Sequence, residues 1–211
     1  VKLVCGLGNP GNRYAGTRHN VGFIAVEALF ETQNPGWIEK WDARVARIDL
    51  EGQQVIVVEP LTYMNLSGFA VTRAGGFYRI GPQDILVIHD DIDLPLGRVM
   101  VKMGGGDGGH KGVRSVIEQL GTRDFARVRI GVGRPDGQGP DVVDYVLQRF
   151  SDSEERDLSE AVKATSVAIR EWVRGGVPKA QNLVNRRGNP KRSEPSCPSD
   201  GAGGPKDREE V

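Results

Sequence analysis

Two short stretches carry residue types suited to acid–base chemistry. In Thr17-Arg-His-Asn20 a histidine stands just before an apolar run. If that run is a helix, the positive end of its dipole disfavours an imidazolium and keeps His19 available as a base. A capping or core histidine would have the same placement. In Ile88-His-Asp-Asp-Ile-Asp93, three acids gather at the end of an apolar strand. They suit a solvated turn, a carboxylate that orients a histidine, or a cation site, and the acids alone do not separate these. His89 and His110 sit beside acidic or flexible neighbours and take no clear role from the sequence.

Three further segments offer donors or backbone amides. Gly6-Leu-Gly-Asn-Pro-Gly11 matches the dinucleotide pattern GxGxxG, which works only if a helix starts at once and an acid ends a second strand about 20 residues on. Here Asn12–Thr17 opens a helix poorly, and Gln33-Asn34-Pro35-Gly36 stands where the acid should be. A tight Gly-Pro-Gly turn is the better reading, and it leaves Asn9 at the C-terminal end of a strand. Thr62-Tyr-Met-Asn-Leu-Ser-Gly68 places Asn65 before a helix, where a plain N-cap accounts for it. Gly104-Gly-Gly-Asp-Gly-Gly-His-Lys-Gly112 is a glycine loop opening a helix. Its amides could approach an anion, or it could be a hinge, and it lacks the order of a P-loop.

The elements that must position these residues follow from periodicity. Lys2–Leu7 and Ile85–His89 read as buried strands, and Gly97–Met103 as the antiparallel neighbour of the second. Arg44–Leu50 and Gln53–Glu59 form a hairpin through Glu51-Gly52. Arg127–Gly133 is another strand. Asn20–Phe30 reads as a buried helix capped by Asn20, and Ser67–Tyr78 and Lys111–Leu120 as further helices. Ser151-Asp-Ser-Glu154 is a capping box for a last helix, whose apolar face runs from Leu158 to Val173 and which Gly175-Gly176 and Pro178 end. The result is an α/β fold, a single domain over residues 1–187 with a mixed β-sheet surrounded by helices. Residues 188–211, rich in Gly, Pro, Ser and charge, read as a disordered tail.

Composition bounds the function. The chain has 211 residues, 38% apolar and 27% charged, enough for a real core. No run approaches the ~20 apolar residues of a membrane helix. Val1–Gly11 reads as a strand and turn instead of a secretory leader, so the cytoplasm is the expected location. Two cysteines, Cys5 and Cys197, cannot build a disulfide framework or a four-cysteine zinc site. The 28 basic and 28 acidic residues balance, but unevenly along the chain. Arg98–Arg134 holds eight basic and three acidic residues, a net +5, while the rest of residues 1–185 holds 14 and 20, a net −6. A local basic face on an acidic body suits one specific polyanion better than indiscriminate binding, although a solvated surface can be as uneven.

Taken together, GLGNPGNRYAGTRHNVG, TYMNLSG, HDDIDLPLG, GGGDGGHKGVRS and RVRIGVGRP resemble, in order and spacing, the motifs of bacterial peptidyl-tRNA hydrolases. The resemblance runs from Lys2 to about Arg187. It implies hydrolysis of the ester joining a peptide to the 3′ end of tRNA, by a monomer, without metal or cofactor. It implies His19 as base, Asp90 as its orienting carboxylate and Asn9 as the amide that steadies the substrate carbonyl. By the same resemblance Asn65 fixes substrate near the ester, and Tyr14 and Met64 flank the 3′-terminal nucleotide or aminoacyl group. Lys102 and Arg129 match a clamp on the tRNA 5′-phosphate.

Two positions depart from the family pattern. Lys111 replaces the asparagine of the usual GGHNG and is expected on the acceptor end, and Gln138 is neutral where a basic residue is common. The competing readings are a metal-dependent phosphate enzyme using Asp90, Asp91 and Asp93, and a non-catalytic RNA-binding module, as in a plant organelle splicing factor that looks like this family.

Overall fold

Strands that are apolar at consecutive positions must bury both faces, and the centre of the sheet does so. The computed structural model describes residues 1–30, 35–135 and 140–186. Its strands are Lys2–Gly6 (β1), Ile38–Lys40 (β2), Ala43–Leu50 (β3), Gln53–Pro60 (β4), Ile85–Asp91 (β5), Val99–Met103 (β6) and Ala126–Gly131 (β7). They form one mixed sheet in the order β2-β3-β4-β1-β5-β7-β6. The inner four are parallel, and β3, β2 and β6 complete the edges antiparallel.

Side chains alternate between two cores. Val4, Val55, Val57, Leu86 and Ile88 meet the helices Val21–Glu27 (α1) and Glu155–Val184 (α5) on one face. Leu3, Cys5, Ile56, Val58 and Val87 meet Ser67–Tyr78 (α2) and Lys111–Leu120 (α3) on the other. A short helix, Val142–Val146 (α4), lies outside this sandwich. The α/β expectation holds, with a mixed sheet covered by helices.

The glycines of the first motif serve packing. A Cβ at Gly6 would lie 2.4 Å from the Gly22 carbonyl oxygen, and one at Gly8 would lie 2.7 Å from the Phe23 ring. They let α1 approach β1 closely, and no helix follows the motif at once. The chain leaves β1 toward β4 on one side and returns through α2 to β5 on the other. The C-terminal ends of β1 and β5 therefore open a crevice at a topological switch point, where ligands of α/β sheets bind.

Several expectations need correction. β6 pairs with β7, not with β5. The connection after β5 crosses the end of β7, held by Gly97 N–H to Gly131 C=O at 3.1 Å and Gly131 N–H to Arg98 C=O at 2.7 Å. β5 thus keeps its edge for a parallel partner delivered by α3. The first helix begins after a 3-10 turn, Arg18–Asn20, and gives way at Ala28 to another, Ala28–Phe30. Asn20 makes no side-chain cap. Gly175 and Gly176 leave helical geometry, with Gly176 at φ 72°, but a second helical stretch resumes and runs to Val184. Pro178 is tolerated because it stands in the first turn of that stretch, where its missing N–H costs little. The capping box is one-sided: Ser151 N–H donates to Glu154 at 2.8 Å, while the Ser151 hydroxyl bonds side chains instead of an amide. The expected tail and Gln138 lie outside the described residues, of which no helix is long and apolar enough to cross a membrane.

Candidate active site

The end of β5 delivers Asp90, buried, to the floor of the crevice. Its Oδ1 lies 2.8 Å from His19 Nδ1 and 2.8 Å from His110 Nε2. Each histidine comes from a different loop, and the rings sit 4.9 Å apart. His110 Nδ1 accepts the amides of Gly112 at 3.1 Å and Val113 at 3.2 Å, capping α3. That ring nitrogen must therefore be unprotonated, so Nε2 carries the hydrogen and donates it to Asp90. Two amides that could have approached an anion here, those of Gly112 and Val113, are taken by this cap.

Burial works to raise the Asp90 carboxyl, but His110 and His19, through charge and hydrogen bond, outweigh it. The group is held well below the usual carboxylate range. An ionised Asp90 takes the Nδ1–H of His19 and leaves its Nε2 lone pair for the cleft. His89 lies behind them, its Nδ1 donating to the Asp90 carbonyl at 2.7 Å and its ring edge-on to His110. Burial, then the nearby His110, push His89 well below the ordinary histidine range, so it stays neutral.

Asn9 is fixed by a reciprocal pair of bonds. Its N–H donates to Asn20 Oδ1 and its carbonyl accepts from Asn20 Nδ2, both at 2.9 Å. This brace is what Asn20 does in place of capping. Asn9 Oδ1 accepts Met64 N–H at 2.8 Å, which orients the amide and leaves Nδ2 as a donor.

Asn9, His19, His89, Asp90 and His110 line a cleft of about 640 Å³ that also takes in Tyr14, Met64 and Asn65. Met64 is buried and begins the 3-10 turn Met64–Leu66, in which Asn65 is exposed and makes no cap to α2. Lys111, exposed at the start of α3, Lys102 on β6 and Arg129 on β7 line the same cleft. Arg129 gives its Nε to Asp91 at 2.6 Å. Burial first, then repulsion by Arg127 and Arg129, lower the Lys102 ammonium. Such crowded cations are a ready place for a polyanion.

The nine residues given a role by the resemblance thus meet around one cavity, and the sequence missed the roles of two more. His110 is recognisable only as a histidine at an N-cap position, and its reach to Asp90 depends on a contact between separate loops. Asn20 looked like an ordinary cap. The three-acid cation site does not assemble: Asp90 faces histidines, while Asp91 and Asp93 are paired with Arg129 and Arg134. Among the described residues, the set able to hold a metal is His19, Asp90 and His110, whose ligand atoms lie within 4.8 Å of one another. Those atoms already satisfy one another by hydrogen bonds.

The sequence matches the peptidyl-tRNA hydrolase family over residues 3–193. It is 45% identical to a peptidyl-tRNA hydrolase of Sorangium cellulosum (strain So ce56) across 89% of this chain and 85% of that one. A peptidyl-tRNA hydrolase of Deinococcus deserti is 41% identical, with both chains fully covered. The crystal structure of peptidyl-tRNA hydrolase from Acinetobacter baumannii superposes with a TM-score of 0.80 at 37% identity, covering 88% of this chain and 95% of that one.

Proposed function

The chain belongs to the peptidyl-tRNA hydrolase family and hydrolyses peptidyl-tRNA, and we propose that it does so with His19 as the general base for water. The observation that carries this reading is the 2.8 Å bond from His19 Nδ1 to a buried, ionised Asp90. It leaves Nε2 as the nitrogen that removes a proton from water attacking the ester carbonyl. Asn9 Nδ2, aimed by the Met64 amide, donates to the oxyanion as the tetrahedral intermediate forms. Collapse expels the 3′-oxygen of the terminal ribose, which takes the proton back from the His19 imidazolium. Asp90 stays ionised throughout, and His110 holds it in place.

The two halves of the substrate call for different surfaces. Tyr14, Met64, Asn65 and Lys111 receive the acceptor end, and the flexible Met64 tolerates varied aminoacyl groups. Lys111 faces the terminal phosphodiesters as a donor where asparagine could also accept. Lys102 and Arg129, the latter oriented by Asp91, take the 5′-phosphate. The catalytic unit is residues 1–187, acting as a cytoplasmic monomer with no metal or cofactor.

Release of a labelled N-acetyl-aminoacyl group from tRNA, with and without EDTA, tests this reading. Equal rates are expected, because the ester is already activated and needs one water and one base. Loss of activity on chelation, restored by zinc or magnesium, would move the mechanism to a metal held by His19, Asp90 and His110.

A further inference from the structure

Beside His19 stands a second ionisable residue that the mechanism does not use. Arg18 is buried, its guanidinium lying over the rings of Tyr145 at 4.6 Å and Phe150 at 5.1 Å. Nη1 donates to the Arg149 carbonyl at 2.6 Å, and Nη2 reaches both Glu154 carboxylate oxygens at 2.7 and 2.8 Å. The backbone adds Arg18 N–H to Gln148 C=O at 3.0 Å and a bridge between Thr17 and Arg149. The turn carrying His19 is thereby joined to the stretch from Tyr145 to Glu154. At its other end this stretch is tied to the sheet, where the Tyr145 hydroxyl donates to Val132 C=O at 2.7 Å beyond β7.

The segment so held is one wall of the cleft. Val142, Val143, Val146 and Leu147 line it, and the first two are exposed. The cations Lys102, Lys111 and Arg129 line the same cleft, so it presents both charged and apolar surface. A peptidyl-tRNA is likewise divided: the polyanion belongs with the cations, and the peptide with the apolar surface.

We propose that Arg18 is a positioning residue for this reaction, fixing the wall that receives the peptide at a set distance from His19. The proposal rests on the reading of His19 as the base, and it acts on binding of the peptide half instead of on proton transfer. A longer peptide covers more of the wall, so its binding depends more on where the wall stands. Lysine at position 18 keeps the charge but lacks the planar fork that engages Glu154 and Arg149 together.

The test compares N-acetyl-aminoacyl-tRNA with N-acetyl-tetrapeptidyl-tRNA in the full chain. Arg18→Lys and Glu154→Gln are expected to raise KM for the long substrate about tenfold, because the displaced wall holds the peptide less well. KM for the short substrate should rise less than about threefold, with kcat and its pH profile kept on both. Tyr145→Phe removes a single hydroxyl at the far anchor and leaves Arg18 paired. It should give the same length-dependent pattern, more weakly, and so keeps the proposal testable if the other two fold poorly. Equal defects on both substrates, or a shifted pH profile, would overturn the proposal. If His19→Ala retains full turnover, the base assignment fails on its own, whatever the length dependence shows.

Discussion

Asp90 and Glu59 are both buried carboxylates on inner strands of one sheet, and their surroundings push them in opposite directions. Asp90, at the end of β5, meets two histidines and is held below the usual carboxylate range against its burial. Glu59, on β4, pairs with Arg44 of β3, which also reaches Glu27. There burial outweighs the arginine, and the carboxyl is raised from 4.5 to about 7. Glu59 Oε1 is buried with no hydrogen-bond partner among the described residues. A buried acid is therefore no sign of a site by itself. What distinguishes Asp90 is that its partners open into a cleft and can use a fixed charge, whereas Glu59 and Arg44 tie one edge of the sheet to α1.

The widest separation between the two should come from neutralising each. Asp90→Asn removes the charge that sets the His19 tautomer and stabilises its protonated form, and kcat is expected to fall about 10²–10⁴-fold. Glu59→Gln should leave kcat within about threefold, since nothing at Glu59 touches the cleft. Comparable losses in steady-state hydrolysis would erase the distinction.

His110 divides the catalytic region itself. His110→Ala removes both a donor to Asp90 and the cap of α3, so it should lose about 10–100-fold in kcat and about 1 kcal/mol of stability. His110→Asn can still accept the α3 amides and should recover the stability in thermal melts. It should not recover the rate, because it cannot span to Asp90 as well. Joint recovery would mean that His110 serves only the helix.

The cations separate binding from chemistry. Lys102→Ala and Arg129→Ala should each raise KM for tRNA substrates and reduce the salt slope by about one unit, as expected for one phosphate contact. Small N-acyl-aminoacyl esters should be hydrolysed as before. Equal defects on both substrate types would place these residues in the fold or the active centre.

The effect at Glu59 leaves the rate alone and is read by stability. In the fold Glu59 keeps its proton up to about pH 7, whereas an unfolded glutamate releases it near 4.5. Between those values the native state binds more protons, so the contribution is full below 4.5 and is lost as pH rises through about 7. Denaturation from pH 5 to 8 should show a loss of roughly 1–3 kcal/mol that Glu59→Gln flattens. Identical slopes in the two proteins would show that Arg44 keeps Glu59 ionised.

Much of this arrangement was legible in the sequence because the signals are local. The hydrophobic period placed α2 over Ser67–Tyr78 and α3 over Lys111–Leu120 as they stand in the structure. Asn9 and His19 stood out by their places at element ends, whereas only the family resemblance picked Asp90 from three neighbouring acids. Contacts set by the path of the chain were not legible. β6 follows β5 closely, so a hairpin was the local expectation, but a parallel β7 delivered by α3 occupies that edge. His110 lies 20 residues from Asp90, and only the folded glycine loop brings them together. Asn20 has the residue type of a cap, yet the turn before α1 directs its amide to Asn9. The resumption of α5 past Gly176 needed knowledge of what Ala180 and Val184 would bury against.

The central claim is that His19, held by Asp90, takes the proton from water. Steady-state release of labelled N-acetyl-aminoacyl groups by His19→Ala, with the fold checked by circular dichroism, tests it most directly. The expected result is a kcat lower by about 10²–10⁴-fold with KM little changed, the usual worth of a general base. Turnover near that of the unmodified protein, with the fold intact, would contradict it.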